Sequence, residues 1–287
     1  PTPSLRKFYS GLFTCGPSLD AMRKEFPQYE EWGVKRRPGK TGDHFFFTHH
    51  PLQHVELDDY EFPDLEAPGR FEEVERDVRR WKDEYAVVTN MGSALWMLAV
   101  QLRGFYEFMG DLYRNPKFVD RLLDRLLEHK IREGKRLAEL GTDIVRMGDD
   151  WGTQTQLFIH PSLFRKYFKP RYKRLVEEIK KVAPYTWFHS DGNIEAIVPD
   201  LVEIGVDILN PVQPECMDPV EVKKRYGDRL TICTGVSVQR TLPYGAVDDV
   251  EKEVKDRMKT LGPGGGLIFG TSHMAMSEVP TQNIVSL

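Results

Sequence analysis

The chain has 287 residues, 40% of them hydrophobic and 11% aromatic, which is enough for one large hydrophobic core or two small ones. Its 40 basic and 44 acidic residues give a formal net charge of -4, and no basic segment interleaves with aromatic residues, which argues against nucleic acid as a partner. No apolar run is as long as a membrane span, so we expect no membrane insertion. Cys15, Cys216 and Cys233 show no paired spacing, which favours a reducing, cytoplasmic location without disulfides.

The first 80 residues differ in composition from the rest of the chain. They are rich in Pro, Gly, Asp and His, and Phe45-Phe46-Phe47 is their only strand-like run. We expect residues 1–80 to form an irregular or hairpin-bearing extension. It should pack on a body formed by residues 81–287, within a single domain overall.

From residue 86 onward, short apolar runs alternate with amphipathic helical stretches. The predicted strands are Ala86–Thr89, Ile144–Met147, Thr186–His189, Val206–Asn210, Leu230–Thr234 and Leu267–Gly270. The predicted helices are Ser93–Met109, Lys117–Leu140, Ser162–Val182 with Ser162 as cap and a kink at Pro170, Ile194–Ile204, Pro219–Tyr226 with Asp218 as cap, and Val247–Leu261.

This alternation predicts an α/β fold, a (β/α)₈ TIM barrel with an irregular N-terminal extension. A doubly wound sheet is the alternative. No Gly-x-Gly-x-x-Gly turn follows any predicted strand, however, so the pattern typical of a dinucleotide site is absent from the sequence.

Two predicted strands end in residues of types that commonly serve as metal ligands. His189 and Asp191 close the strand Thr186–His189, and His273 follows Leu267–Gly270. Because the carboxyl ends of parallel strands meet at one face of a barrel, these side chains should converge there. Two imidazoles and a carboxylate suit a divalent metal, zinc first, although iron and manganese accept the same ligands. The structural alternatives are hydrogen-bonded histidines and an Asp191 that caps the next helix.

Further polar residues lie at the ends of the other strands. Asp149 and Asp150 face opposite ways in an extended chain, so only one can face the site, and we favour Asp150 as a catalytic acid or substrate contact. Glu215, in a proline-rich loop, is the second catalytic candidate. Asn210 and Gln239 are candidate substrate contacts. Cys216 and Cys233 are either soft ligands or, more simply, small core residues.

Five motifs in order resemble the uroporphyrinogen decarboxylase superfamily. They are Gly148-Asp149-Asp150-Trp151-Gly152, His189-Ser190-Asp191-Gly192-Asn193, Asp207-Ile208-Leu209-Asn210-Pro211-Val212-Gln213, Leu261-Gly262-Pro263-Gly264-Gly265-Gly266 and Pro280-Thr281-Gln282-Asn283-Ile284. The resemblance implies a (β/α)₈ barrel and one of two chemistries. One is decarboxylation of porphyrinogen acetates without a cofactor. The other is zinc-dependent methyl transfer to or from a corrinoid that a separate protein carries.

The chain departs from both branches. The zinc methyltransferases carry a His-x-Cys pair where this chain has His189-Ser190-Asp191, and their third ligand, a cysteine, aligns close to His273. Harder ligands therefore stand in place of both thiolates. The decarboxylases hold substrate carboxylates with an arginine-rich segment near their start, and no part of Pro1–Glu30 resembles it.

The leading hypothesis is therefore an enzyme that transfers a methyl group from a methoxylated or other small methylated substrate to a corrinoid protein. His189, Asp191 and His273 would hold a divalent metal, with zinc as the leading candidate, because hard ligands suit an oxygen leaving group. The alternatives are a decarboxylase that uses His189, Asp150 and His273 as acid-base groups, and a non-catalytic barrel that binds a tetrapyrrole or corrinoid. The sequence leaves open whether the protein is a monomer or a homodimer.

Overall fold

The computed structural model describes residues 31–38 and 45–287. The segment Pro1–Glu30, in which no arginine-rich motif is visible, lies outside the described residues. The strands are β1 (Lys35–Pro38), β2 (Phe45–His49), β3 (Val88–Ser93), β4 (Ile144–Gly148), β5 (Tyr185–His189), β6 (Ile208–Asn210), β7 (Thr231–Val236) and β8 (Leu267–Thr271). The helices are α1 (Glu72–Trp81), α2 (Trp96–Arg103), α3 (Phe105–Arg114), α4 (Pro116–Glu139), α5 (Pro161–Leu163), α6 (Lys169–Ile179), α7 (Val198–Ile204), α8 (Pro219–Tyr226), α9 (Thr241–Tyr244), α10 (Val247–Leu261) and α11 (Thr281–Val285).

Strands β3 to β8 form one six-stranded sheet in which the order of the strands is their order in the chain. The pairs β3–β4, β5–β6, β6–β7 and β7–β8 are all parallel. A doubly wound sheet reverses its strand order at a switch point, whereas a barrel adds each strand beside the one before it. The sequential order confirms the predicted α/β fold of the TIM-barrel type.

The chain divides into two compact units. The described part of the first consists of residues 31–38, 45–148 and Lys166–Thr186, and the second consists of Asp149–Arg165 and Trp187–Leu287. Strands β1 and β2 form an antiparallel pair in the first unit, as the run Phe45–Phe47 predicts. The predicted boundary at residue 80 stays a prediction.

In the first unit, helix α4 packs against β3, β4 and α6. Its apolar positions repeat with helical spacing and are fully buried, as at Val119, Leu122 and Leu126. In the second unit, Val236 at the end of β7 packs with Leu242 and Val250 into a buried cluster. Among the described residues, no helix is both long and apolar enough to cross a membrane.

Two helix predictions need correction. The predicted helix Ser93–Met109 is two helices, α2 and α3, because Gly104 between them has a φ of 90° that ends the first helix. The predicted cap Ser162 is also wrong. The His160 ring accepts the hydrogen bond from the Ser162 backbone N–H, with 3.2 Å between the nitrogens.

The predicted helix Ser162–Val182, with its kink at Pro170, is not one continuous helix. A π-helical turn at Phe164–Phe168 precedes α6, and Pro170 occupies its first turn, where no helical N–H donor is needed.

Candidate metal centre

The three predicted metal ligands lie together in the second unit. The Nε2 atom of His189 is 3.7 Å from Asp191 Oδ1, and His273 Nε2 is 3.1 Å from Asp191 Oδ2. One ligand atom from each residue can be chosen so that all three lie within 4.8 Å of one another. Their side chains are partly exposed, by 16% for His189, 34% for Asp191 and 39% for His273, so a solvent-borne ion or substrate can reach them.

The loop after β4 supplies Asp150 to the same place. The Asp149 backbone N–H donates to the His189 carbonyl over 2.9 Å, and the Asp149 side chain is fully buried. Asp150 is 40% exposed, and its Oδ1 lies 3.7 Å from His189 Nε2. The same oxygen accepts a hydrogen bond of 3.1 Å from the Asp191 backbone N–H. Of the two adjacent carboxylates, Asp150 is thus the one that lies beside the histidine.

Backbone contacts between two loops hold Asp191 in place. Gly192 has a φ of 79°, and a Cβ added there would overlap the carbonyl oxygen of Gly152, so the loops after β4 and β5 touch through their backbones. The buried Ser190 hydroxyl accepts from the Trp151 N–H over 3.0 Å and donates to the Asp191 carbonyl over 3.3 Å. Sequence reasoning missed this role of Ser190, although a small hydroxyl between two candidate ligands is a signal for it.

Asp191 is not the cap of the next helix. The side chain that accepts from a backbone N–H there is Asn193, whose Oδ1 accepts from the Glu195 N–H over 3.2 Å. Gln213, the last residue of the third motif, is buried, and its Oε1 accepts from the Gly192 N–H over 3.3 Å. Both contacts fix the loop on which Asp191 lies.

His189 is oriented by its neighbours on the sheet. Its Nδ1 is 2.7 Å from Asn210 Oδ1, and Asn210 Nδ2 donates to the Cys233 sulfur over 3.0 Å. An imidazole that donates from Nδ1 keeps the lone pair on Nε2, the atom that faces the two aspartates. Protein atoms therefore bind both ends of the Asn210 amide.

His273 follows β8 and is placed by the residue before it. Ser272 is fully buried, its N–H donates to the Val236 carbonyl over 3.0 Å, and its hydroxyl accepts from the Val238 N–H over 3.2 Å. These bonds tie the end of β8 to the end of β7. They bring a residue 82 positions after Asp191 in the sequence into contact with it.

Glu215 lies in the loop after β6, where its Oε1 accepts a hydrogen bond from the Ser237 hydroxyl. Its other oxygen, Oε2, is buried and accepts no hydrogen bond from the described residues. Burial, together with the negative charges of Glu215 and Asp191, raises the pKa of the neighbouring Cys216 thiol to about 11. Cys216 is therefore a neutral thiol at physiological pH. Gln239 is exposed in the turn after β7.

The donor set fits a divalent metal. Two imidazole nitrogens and a carboxylate oxygen within 4.8 Å form the three-ligand set of catalytic zinc sites, which leave a further position for water or substrate. The contact between His189 Nδ1 and Asn210 Oδ1 is of the kind that metal-binding histidines usually make with the ring nitrogen that does not face the ion. Cys216 and Cys233 are outside this set, which contains no sulfur.

Comparison with known proteins places the chain in a family. Residues 31–287 match the family model described as uroporphyrinogen decarboxylase (URO-D). Uroporphyrinogen decarboxylase of Actinobacillus pleuropneumoniae is 24% identical over 240 residues, which are 80% of this chain and 65% of that protein. The enzyme of the same name from Chlorobium phaeobacteroides is 24% identical over 243 residues, again 80% of this chain and 66% of the relative. The chain therefore matches just under two thirds of the length of these relatives.

A solved structure has the same fold. A methyltransferase from Methanosarcina mazei superposes with a TM-score of 0.70 at 21% identity, over 90% of this chain and 75% of that one. At this identity the likeness concerns the fold alone. Because the family model matches all residues from 31 to 287, the chain belongs to the uroporphyrinogen decarboxylase (URO-D) family.

Proposed function

We propose that the protein is a metal-assisted methyltransferase that moves a methyl group from a methoxylated or other small methylated substrate to a corrinoid carried by a separate protein. The observation that carries this proposal is the convergence of His189, Asp191 and His273 within 4.8 Å. A cofactor-free decarboxylase has no need of a compact set of three ligand atoms. The fold shared with a methyltransferase of Methanosarcina mazei is compatible with this function.

His189, Asp191 and His273 would hold the divalent ion, zinc first. When bound, such an ion supplies a Lewis acid that polarises the ether oxygen of the substrate and stabilises the negative charge left on it. The ligand chemistry supports an oxygen leaving group, because nitrogen and carboxylate ligands are harder than the thiolates typical of sites for thiol substrates.

Two carboxylates are proposed for binding the substrate or for supplying the proton that the leaving oxygen needs. Asp150 lies 3.7 Å from His189 Nε2 and is 40% exposed, so a substrate at the triad would also meet it. The Glu215 Oε2 atom is buried and accepts no hydrogen bond from the described residues, which suits an acceptor for a substrate hydroxyl. Gln239, exposed after β7, is proposed as an outer substrate contact.

The corrinoid protein is proposed as the partner because the methyl carbon must meet a nucleophile, and the lone pairs of the three triad side chains would be used to hold the ion. A cobalt(I) corrinoid has the electron pair that this attack requires. The side-chain exposures of 34% for Asp191 and 39% for His273 leave the triad open to a substrate and its methyl acceptor.

The alternative function is decarboxylation of a porphyrinogen acetate without a cofactor, which the names of the curated relatives favour. In that case His189, Asp150 and His273 would act as acid-base groups. A third alternative, a barrel that binds a tetrapyrrole or corrinoid without turnover, predicts binding and no product.

The decisive experiment supplies a methoxylated aromatic compound with and without a cobalt(I) corrinoid, free or protein-bound. We expect demethylation only when the corrinoid is present, and about one divalent ion per purified chain by elemental analysis. The double variant His189→Ala/His273→Ala should lose both the ion and the activity while its circular dichroism stays native, because one carboxylate cannot hold an ion against water.

The matched control is His160→Ala, which removes a histidine of the same unit that caps α5 instead of facing the triad. It should keep the ion and the activity. A full complement of metal in the double variant would contradict the ligand assignment. Decarboxylation of porphyrinogen acetates without corrinoid would replace methyl transfer with the alternative function.

A further inference from the structure

Three residues on neighbouring strands form a row that ends at the candidate metal ligand His189. His189 of β5 and Asn210 of β6 are paired in the parallel register. The register of β6 with β7 pairs Leu209 with Ile232, so the next position of each strand brings Asn210 beside Cys233. Adjacent strands lie about 4.8 Å apart, and side chains in one row point to the same face of the sheet, so these three side chains meet.

The hydrogen bonds along the row have a direction. Asn210 Nδ2 donates to the Cys233 sulfur at 3.0 Å, which turns the amide oxygen of Asn210 toward His189. That oxygen lies 2.7 Å from His189 Nδ1, and an amide oxygen can only accept. The proton of the neutral His189 ring must therefore be on Nδ1, and Nε2 keeps the lone pair that a metal needs.

The opposite arrangement has the same heavy atoms but a different chemical result. With the Asn210 amide reversed, the Cys233 S–H would donate to the amide oxygen and the amide N–H would donate to Nδ1. The His189 proton would then be on Nε2 and would block the ligand position. In the structure, however, Asn210 Nδ2 and not Oδ1 faces the Cys233 sulfur, so the reversed arrangement is not the one adopted.

We propose that Asn210 and Cys233 are positioning residues that select the Nδ1–H tautomer of His189, and that Asn210 is not a substrate contact. The role of this tautomer in metal binding rests on the proposed function. The tautomer itself does not, because it is a property of the protein without an ion.

The first test reads the tautomer directly. Long-range ¹⁵N–¹H NMR of the ion-free protein, with His189 assigned from His189→Ala, should show the proton on Nδ1. Asn210→Leu should remove this preference, and Asn210→Asp should keep it, since a carboxylate also accepts from Nδ1–H. A wild-type protein with the proton on Nε2 overturns the proposal.

The second test measures affinity for Zn²⁺ by competition with a chromophoric chelator. Loss of the Asn210 contact with His189 Nδ1 should weaken Zn²⁺ binding by about 10- to 100-fold in Asn210→Leu, and Asn210→Asp should bind Zn²⁺ as tightly as wild type. Cys233→Ala should weaken binding less, and Cys233→Ser, which keeps an acceptor for the amide, should restore it. Asn283→Leu is the matched control, because Asn283 is a buried amide of the same unit that donates to the Leu242 and Gly245 carbonyls, and neither atom belongs to the triad.

The two proposals fail in distinguishable ways. If Asn210→Leu raises KM for the substrate while the tautomer and the Zn²⁺ affinity stay unchanged, Asn210 is a substrate contact and the positioning role is overturned. If wild-type protein binds no divalent ion but shows the Nδ1–H tautomer and loses it in Asn210→Leu, the positioning role stands and the metal-assisted function falls. If Asn210→Leu does not fold, the tautomer and the Zn²⁺ affinity of Asn210→Asp, Cys233→Ala and Cys233→Ser test the positioning role.

Discussion

Glu215 lies beside the buried thiol of Cys216, and its negative charge affects the pKa of that thiol. Titration of the thiol therefore gives information about the carboxylate. Burial is the largest cause of the raised pKa of Cys216, and the charge of Glu215 is the next. A buried thiolate next to a carboxylate is disfavoured twice, by desolvation and by repulsion. Cys216 thus reports on the charge of a proposed catalytic residue.

We predict that Glu215→Gln lowers the pKa of Cys216 below its wild-type value of about 11, while burial keeps it above the ordinary thiol value. The measurement is a pH titration of ultraviolet thiolate absorbance, with Cys216→Ser as the blank. Ser237→Ala is the control, because it removes the hydrogen bond to Glu215 and keeps the charge. An unchanged Cys216 titration in Glu215→Gln would show that the carboxylate is not charged beside the thiol.

The two loops after β4 and β5 determine where Asp191 lies. The Asn193 N–H donates to the Thr153 carbonyl over 2.7 Å, and a Cβ on Gly152 would lie 2.6 Å from the Asn193 nitrogen. Neither loop can move by the width of a methyl group without displacing the other. The aspartate is thus held by backbone contact as well as by its own hydrogen bonds.

Replacement of Gly192 by alanine should therefore lower the free energy of unfolding by more than backbone strain alone would. Gly264 has a similar φ of 80° with open space around it, so Gly264→Ala isolates the strain, about 1–3 kcal/mol. Gly192→Ala should lose more free energy of unfolding than Gly264→Ala, because its Cβ also overlaps the Gly152 carbonyl. Denaturant unfolding of both variants measures the difference. Equal losses would show that the loops separate without cost.

The sequence predicts the elements better than it predicts how they meet. The strand ends that present His189 and His273 follow from apolar runs that stop at polar residues. The break between α2 and α3 at Gly104 could not be predicted in this way, because a helical pattern tolerates a glycine. The φ of 90° at Gly104 depends on packing. The contact between His189 and Asn210 could not be predicted from the sequence either, because long-range pairing determines the register of the strands. Proximity of Asp150 to His189 depends on the turn after β4 in the same way.

For the molecule as a whole, stability should depend on a histidine far from the triad in sequence. His129 of α4 is buried against the rings of Trp32 and Phe62. Burial first, and then the positive charges of Lys130, Arg70 and Arg132, lower its pKa from 6.5 to about 3. Between these values the unfolded chain binds a proton that the folded chain does not. This contribution to stability is therefore complete above pH 6.5 and is lost as the pH falls toward 3.

We predict that His129→Phe makes the free energy of unfolding less sensitive to acid in this window. Phenylalanine preserves an aromatic ring against Trp32 and Phe62 and removes the titrating group. The difference in slope between wild type and variant should approach about 1.4 kcal/mol per pH unit. Urea unfolding at neutral and mildly acidic pH gives both slopes, and identical slopes would mean that His129 is protonated in the folded protein.

The spacing of the triad along the chain has a consequence for biosynthesis. A polypeptide leaves the ribosome with its amino end first, so His189 and Asp191 emerge while β6, β7 and β8 are still to be made. His273 comes after all three strands, and the bonds of Ser272 that place it need β7. A nascent chain that has not yet reached β8 therefore presents at most two of the three proposed ligands. On this geometry the proposed metal site is complete only after β8 has been made, and a chain stalled before β8 lacks the third ligand.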